Sequence, residues 1–421
     1  MMLRRLIRPA RRLPWLYILP VLGLFLVEVL IHRSKYTVPV PARELDEPFF
    51  KGCQEPDVNH PRENAVMVML ARNAERIQAN KTITSIENAF NKWFNYPYVF
   101  MNDEPWDAKF IETLNKTAGG KATFEVIPKE QWTFPPEMDA KAAKQSIKEQ
   151  GERGLPHAGS EGYHHMCRFY SGKFYQMEAL KKYKWYWRLE PDVDFTCAIT
   201  YDPFVHMAKN NKKYGFTIAL WEVGTTCPSL FRDIANWKEL HNIPNNNLWK
   251  ATVQASWVPY PFRQMLAYFM PHTDRFGDVW SLCHYWSNFE IADMDFFRSK
   301  PYQDLFEYLD KKGGFYFERW GDAAVHALAV ALFLDPTQVH HFEDFGYRHD
   351  LLYQCPANAP DLQLAESEVL LGNRPYWPER PGGVGCRCQC DGDKRRNHPG
   401  YCLNKLKQPN TRERPWLTWF L

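Results

Sequence analysis

Apolar and polar positions fall into blocks along the chain, each about as long as one secondary-structure element. Residues 65–70, AVMVML, form a continuous apolar run of strand length, and the pattern then shifts to helical spacing over 75–93. Tyr98-Val99-Phe100-Met101 predicts a second strand, and residues 123–127 a third. Between 166 and 183, apolar residues recur at Met166, Phe169, Tyr170, Phe174, Met177, Leu180 and Tyr183, which predicts one helix with a core-facing stripe. It feeds an aromatic strand, Trp185-Tyr186-Trp187-Arg188-Leu189. Glu190-Pro191 ends that strand, because proline has no N–H to donate to a ladder. Residues 214–221 predict a further strand, 301–312 a polar helix before the Gly313-Gly314 turn, and 323–334 a long apolar helix. Strands alternating with helices imply an α/β fold with a largely parallel sheet covered on both faces.

The ends of the chain break this pattern. Residues 1–13 carry Arg4, Arg5, Arg8, Arg11 and Arg12 and no acid, and residues 14–31 are apolar except for Glu28. That run is close to the ~18–20 residues a helix needs to cross hydrocarbon, and the arginines before it favour a cytoplasmic N-terminus. The expectation is a tail over 1–13, a transmembrane signal anchor over 14–31 and a luminal remainder. A cleaved signal peptide is the competing reading, although no small-residue cleavage motif follows His32-Arg33. Residues 32–60 are proline-rich and charged, which suits a stem. The expected folded domain covers 61–356, and 357–421 form a Pro/Cys-rich extension.

Composition narrows the classes. A chain of 421 residues with 45% hydrophobic positions can bury a large core, while 52 basic against 49 acidic residues, net +3, give nucleic-acid binding no support. Ten cysteines fit an oxidising compartment, so disulfides are expected at Cys386, Cys388, Cys390 and Cys402 in preference to zinc. Two sequons begin at Asn80 and Asn115. The first strand is not followed by G-x-G-x-x-G, which argues against dinucleotide binding and leaves a nucleotide-sugar fold open.

The candidate chemistry gathers at strand ends, where open α/β sheets bind ligands. Glu190, Asp192 and Asp194 follow the aromatic strand, and in an extended chain alternate side chains share a face, so their oxygens are expected to converge on one hard divalent cation. A solvated acidic turn is the alternative. Arg72 follows the first strand and could reach a nucleotide or simply cap a helix start. Tyr163, Arg168 and Lys173 could hold a diphosphate or serve as helix-face residues. Glu290, between Phe289 and Ile291, is paired, solvated at a cleft wall, or chemically employed. Asp322 could be an N-cap. His340, His341 and His349 lie near carboxylates, a ligand mix that suits Mn²⁺. The rings of Trp257, Tyr260, Phe262, Tyr268 and Phe269 fit a core or a sugar cleft.

Four longer motifs, YHHMCRFYSGKFY, YWRLEPDVDF, WSNFEIADMDFFRS and ERWGDAAVHALAVALFL, resemble the fungal Golgi α-1,2-mannosyltransferases of glycosyltransferase family 15 over roughly residues 60–356. The resemblance implies a GT-A-like nucleotide-sugar-binding fold with a mixed sheet, GDP-mannose as donor, and mannose-terminated O-linked or N-linked glycans as acceptors. It also implies retention of configuration and a single-pass type II protein of the Golgi membrane. By resemblance Glu190 and His349 hold Mn²⁺ with help from Asp192. Glu290 faces the anomeric carbon, either as nucleophile or as stabiliser of an oxocarbenium-like transition state. Asp322 lies near the acceptor hydroxyl. The motif here is Glu-Pro-Asp where other GT-A enzymes carry D-x-D.

Overall fold

Strand Trp185–Leu189 is the middle strand of seven in a computed structural model that describes residues 15–38, 47–360, 364 and 375–407. The expected tail over 1–13 lies outside the described residues, as do parts of the stem and of the C-terminal extension. From one edge the order is Val339–His341, Tyr214–Phe216, Glu290–Asp293, Trp185–Leu189, Ala65–Leu70, Tyr98–Asn102 and Ala122–Val126. Glu290–Asp293 runs antiparallel to both of its neighbours, and every other pairing is parallel. The sheet is therefore mixed.

Burial on both faces explains why strands Ala65–Leu70 and Tyr98–Asn102 read as nearly unbroken apolar runs. Met67, Met69, Phe100, Trp185, Trp187 and Ile291 enter the core on one face, and Val66, Val68, Met101, Tyr186, Tyr214 and Ala292 enter the core on the other. Arg188 shares the second face with Tyr186, since alternate strand residues point the same way.

The helix expected over 166–183 stops early. It spans Glu161–Gly172, and two short 3₁₀ turns, Phe174–Gln176 and Glu178–Leu180, follow it. Helix Lys300–Lys312 packs so closely here that a Cβ on Gly172 would lie 2.2 Å from Cγ of Phe306. The carbonyls freed past the break do not go unpaired. Arg298 donates to those of Tyr175, Leu180 and Tyr183 at 2.9, 2.9 and 2.8 Å, so one guanidinium takes over the role of the lost helical bonds.

The strand expected over 214–221 also divides. Tyr214–Phe216 stays in the main sheet, whereas Ala219–Trp221 pairs with Cys283–Tyr285 in a separate ribbon. A third, antiparallel sheet follows the central strand: Tyr347–His349 pairs on one side with Val193–Phe195 and on the other with Leu352–Gln354.

The cysteine expectation holds. Disulfides join Cys53 to Cys386, Cys197 to Cys388, Cys283 to Cys402 and Cys355 to Cys390, which ties the segment past Cys355 back onto the α/β unit. At the other end, helix Trp15–Ser34 has 20 residues and is long and apolar enough to cross a membrane.

Candidate active site at the end of the central strand

A charged residue inside a buried strand must find partners, and Arg188 finds three. Its Nε donates to Glu190 Oε1 at 2.8 Å, its Nη1 donates to Asp322 Oδ2 at 2.6 Å, and its guanidinium carbon lies 3.5 Å from the centre of the Tyr170 ring. Ser287 Oγ donates to the same Asp322 oxygen at 2.8 Å. Burial alone would raise the pKa of Asp322, but Arg188 first, then His326 and Ser287, outweigh it and hold the carboxyl below its usual range. Glu190 behaves oppositely. Burial pushes its pKa up against the pull of Arg188 and of His349, although 20% of the side chain stays exposed and limits that desolvation. Asp322 starts helix Asp322–Phe333 but is not its cap. Gly321 occupies the cap position, and the Asp322 carboxylate serves Arg188 and Ser287.

Glu290 sits directly opposite Arg188 in the antiparallel ladder, on the same face. Its side chain is wholly buried and both oxygens are occupied. Tyr214 Oη donates to Oε1 at 2.6 Å, Tyr186 Oη donates to Oε2 at 2.8 Å, and His326 Nδ1 lies 2.7 Å from Oε1. Burial favours the neutral acid, but the charges of His326 and Arg188 and the hydroxyl of Tyr214 keep Glu290 below the ordinary carboxylate value. Burial also raises both tyrosines well above the usual phenol value, with Glu290 reinforcing it, so they act as donors only.

The backbone brings His349 to Glu190. In the ladder His349 is the partner of Val193, three residues past Glu190. Thr82 shapes the intervening turn: its Oγ1 donates to the Glu190 carbonyl at 2.9 Å and accepts from Val193 N at 3.0 Å. Nδ1 of His349 lies 2.5 Å from Asn288 Nδ2.

The three acids after the strand do not converge. Asp192 adopts φ 67°, which breaks the extended alternation that would have aligned them. Its carboxylate accepts from Lys81 Nζ at 2.8 Å, and Asp194 accepts from Ser85 Oγ at 2.9 Å. Arg168 is not available for a diphosphate. It is buried, with Nε and Nη2 donating to the two oxygens of Asp310 at 2.7 and 2.8 Å and Nη1 donating to the Thr133 carbonyl at 3.0 Å. Arg72 stands exposed past strand Ala65–Leu70, with Nη2 donating to Glu75 at 2.6 Å. Tyr163 Oη accepts from Arg319 Nη1 at 3.2 Å, and the other Arg319 terminal nitrogen lies 3.4 Å from Glu222 Oε1. Arg319 holds φ 125° in the left-handed half of conformational space, which costs about 1–3 kcal/mol and persists only where the surroundings enforce it. His340 and His341 are buried in strand Val339–His341, with His341 Nε2 2.8 Å from Gln354 Oε1.

Arg188, His326, Ser287, Glu222 and Arg319 are not among the residues that sequence reasoning selects. Two of them left a trace: a lone arginine within an aromatic strand and a lone histidine within an Ala/Val/Leu helix.

The chain matches the family model described as glycolipid 2-alpha-mannosyltransferase over residues 37–366. It is 43% identical over 340 residues to O-glycoside alpha-1,2-mannosyltransferase homolog 4 of Schizosaccharomyces pombe, covering 75% of this chain and 77% of that one. It is 38% identical over 363 residues to alpha-1,2 mannosyltransferase KTR1 of Saccharomyces cerevisiae, covering 86% and 82%. The X-ray structure of the S. cerevisiae mannosyltransferase Ktr4p in complex with GDP superposes with a TM-score of 0.64 at 33% identity, covering 79% of this chain and 82% of that one. Core-mannan synthase A of Aspergillus fumigatus, in its Mn/GDP form, gives 0.66 at 30% identity over 89% and 91%. The family match and the superposition of the mixed α/β sheet on two mannosyltransferases thus define a glycosyltransferase of GT-A-like fold. The chain belongs to the glycolipid 2-alpha-mannosyltransferases, glycosyltransferase family 15.

Proposed function

We propose that the protein transfers mannose from GDP-mannose to mannose-terminated O-linked or N-linked glycans, making an α-1,2 linkage with retention in a Mn²⁺-dependent reaction. Residues 14–31 anchor it as a single-pass type II protein with its catalytic domain on the luminal side of the Golgi membrane. The observation that supports the site assignment is the ladder pairing of His349 with Val193, three residues past Glu190, within range for the imidazole's charge to act on the Glu190 carboxyl.

One carboxylate and one imidazole suit Mn²⁺. Among the described residues no group of three or more His, Cys, Asp or Glu gathers around one point, and an ion held by this pair would take its other ligands from a nucleotide diphosphate and water. Bound there, the ion would offset charge on the departing GDP. Asn288 fixes the His349 ring through Nδ1 and leaves Nε2 to ligate. A ligating Nε2 requires the proton on Nδ1, so on metal binding the Asn288 amide turns to present Oδ1 to the ring and gives up the 3.2 Å bond that Oδ1 accepts from Tyr347 Oη. Asp192, paired to Lys81 on the rim, is assigned to ribose or water contact and not to direct ligation. Arg72 and Tyr163 contact the nucleotide.

Asp322, kept ionised by Arg188, orients the acceptor hydroxyl. Glu290 has both oxygens occupied and no exposed surface, which favours a fixed negative charge beneath an oxocarbenium-like transition state over covalent attack. The test is incubation of the full chain with GDP-mannose, Mn²⁺ and a methyl mannoside, with and without chelator, followed by linkage analysis. The expected product is an α-1,2-dimannoside whose formation is lost with chelator and in Glu190→Ala and His349→Ala. Free mannose released without acceptor would point to a hydrolase, and full activity in both variants would remove the metal assignment.

A further inference from the structure

Large apolar side chains are exposed singly over most of the α/β unit, but they crowd into residues 257–270, where Trp257, Tyr260, Phe262, Met265, Tyr268 and Phe269 all face outward. Tyr268 and Phe269 are 79% and 81% exposed. A contiguous patch of this kind marks an interaction site. The stretch WVPYPFRQMLAYFM holds one charge, Arg263.

That charge shows what the patch faces. Arg263 Nη1 donates to Glu28 at 2.8 Å, and Glu28 is the only charged residue in the apolar run 14–31. The same carboxylate accepts from the backbone N–H of Tyr260 at 3.0 Å. One stripe of helix Trp15–Ser34 continues the contact. Phe25 meets Phe262 edge-on with centroids 5.8 Å apart, His32 Nε2 lies 2.7 Å from Asp278 Oδ1, and Arg33 sits 3.7 Å over the Trp257 ring. Past the helix, Tyr36 Oη donates to Asp278 Oδ2 at 2.8 Å. The patch therefore lies alongside the C-terminal turns of the apolar helix. Phe25 comes six residues before the run ends at Ile31, roughly 9 Å at about 1.5 Å per residue, within the about 5–10 Å to which interfacial segments sink.

We propose that residues 257–270 form a membrane-docking element that inserts its rings into the interfacial layer of the bilayer crossed by helix Trp15–Ser34, holding the catalytic domain against the membrane surface. The inference rests on reading that helix as a membrane anchor. The occupant is lipid: the rings are the Trp, Tyr and Phe that interfaces select, and the one cation of the patch is neutralised by the one anion of the span. With no unpaired basic residue in the stretch, neutral phosphatidylcholine suffices.

The experiment places the photo-crosslinker p-benzoylphenylalanine singly at Tyr268, at Leu24 in the anchor, and at Leu351, an 85% exposed position elsewhere, in the full chain reconstituted into phosphatidylcholine vesicles. The expected result is lipid adduct at positions 24 and 268, each at least about tenfold above position 351. Adduct at 24 without adduct at 268, equal adduct at 268 and 351, or crosslinking of 268 to a second copy of the chain would overturn the docking element while leaving the anchor in place. Absence of lipid adduct at both 24 and 268 would overturn the anchor and the element with it.

Discussion

Arg188 and Glu290 face each other across one rung of the sheet, yet the hydrogen bonds of Arg188 go to Glu190 and Asp322, while Glu290 is held by two tyrosines and His326. The site thus has two charge systems side by side: an arginine shared by two carboxylates at the strand end, and a carboxylate–imidazole pair buried beneath it.

Removing Arg188 leaves two acids without their cation in a desolvated pocket. Arg188→Ala should lower folding stability by about 3–5 kcal/mol, as breaking a buried pair does. Arg188→Lys should be milder in stability but still impair turnover, because an ammonium cannot bridge both carboxylates with a planar fork. Urea titration together with the mannose-transfer assay checks both. A loss below about 1 kcal/mol in Arg188→Ala would show that the acids find other partners.

The buried pair sets a pH dependence. Burial draws the His326 pKa down, but Glu290, helped by Asp322, more than reverses this and leaves it raised. Its contribution is complete below the unfolded value of about 6.5 and disappears as pH rises through the folded value. Glu290, lowered on folding, contributes above about 4.3 and loses that contribution as pH falls through its folded value. Urea midpoints should therefore decline above about pH 6.5, and Glu290→Gln should flatten that decline. Parallel profiles for the two proteins would dissociate the pair from the pH response.

Glu290→Gln should also remain folded, since the amide keeps the shape of the side chain, while turnover falls at least about a hundredfold. Circular dichroism and the transfer assay separate the two effects. Unchanged turnover would take Glu290 out of the mechanism.

Asn288→Ala should release the His349 ring and weaken Mn²⁺ about 10–100-fold, the usual effect of losing a hydrogen bond to a ligating histidine. Titration with Mn²⁺ in the presence of GDP measures it. An unaltered affinity would mean that strand pairing alone orients His349.

Gly172→Ala forces a methyl group into the Phe306 ring and should cost about 1–3 kcal/mol, most of it recovered by a second change, Phe306→Leu. Thermal melts of the single and double variants provide the check, and a neutral single variant would show that helix Lys300–Lys312 yields at this point.

Much of the proposed site was legible because motifs carried it. Glu190 announced itself as an acid after a buried aromatic strand, and His349 was reached through family resemblance, since nothing in its local spacing connects it to a residue 159 positions earlier. Arg168 misled because a cation near a phenol reads alike whether it meets a phosphate or the carboxylate of Asp310 on another helix. Asp192 misled because a single left-handed residue undoes the alternation of an extended chain.

By itself the sequence determined the strands near 65–70, 98–101, 123–127 and 185–189, because short apolar or aromatic runs bounded by polar residues need no partner to be recognised. It also determined the apolar N-terminal run, the family, and that the late cysteines form disulfides. Only the tertiary structure decided where the long aromatic helix breaks, that the 214–221 strand divides, which cysteines pair, and that Arg188 and His326 organise the acids. Those outcomes depend on contacts between residues tens to hundreds of positions apart: a phenylalanine ring over a glycine, a guanidinium collecting orphan carbonyls, a histidine across a ladder. Local propensity and periodicity do not register such contacts, because their energies exist only once the distant segments have met.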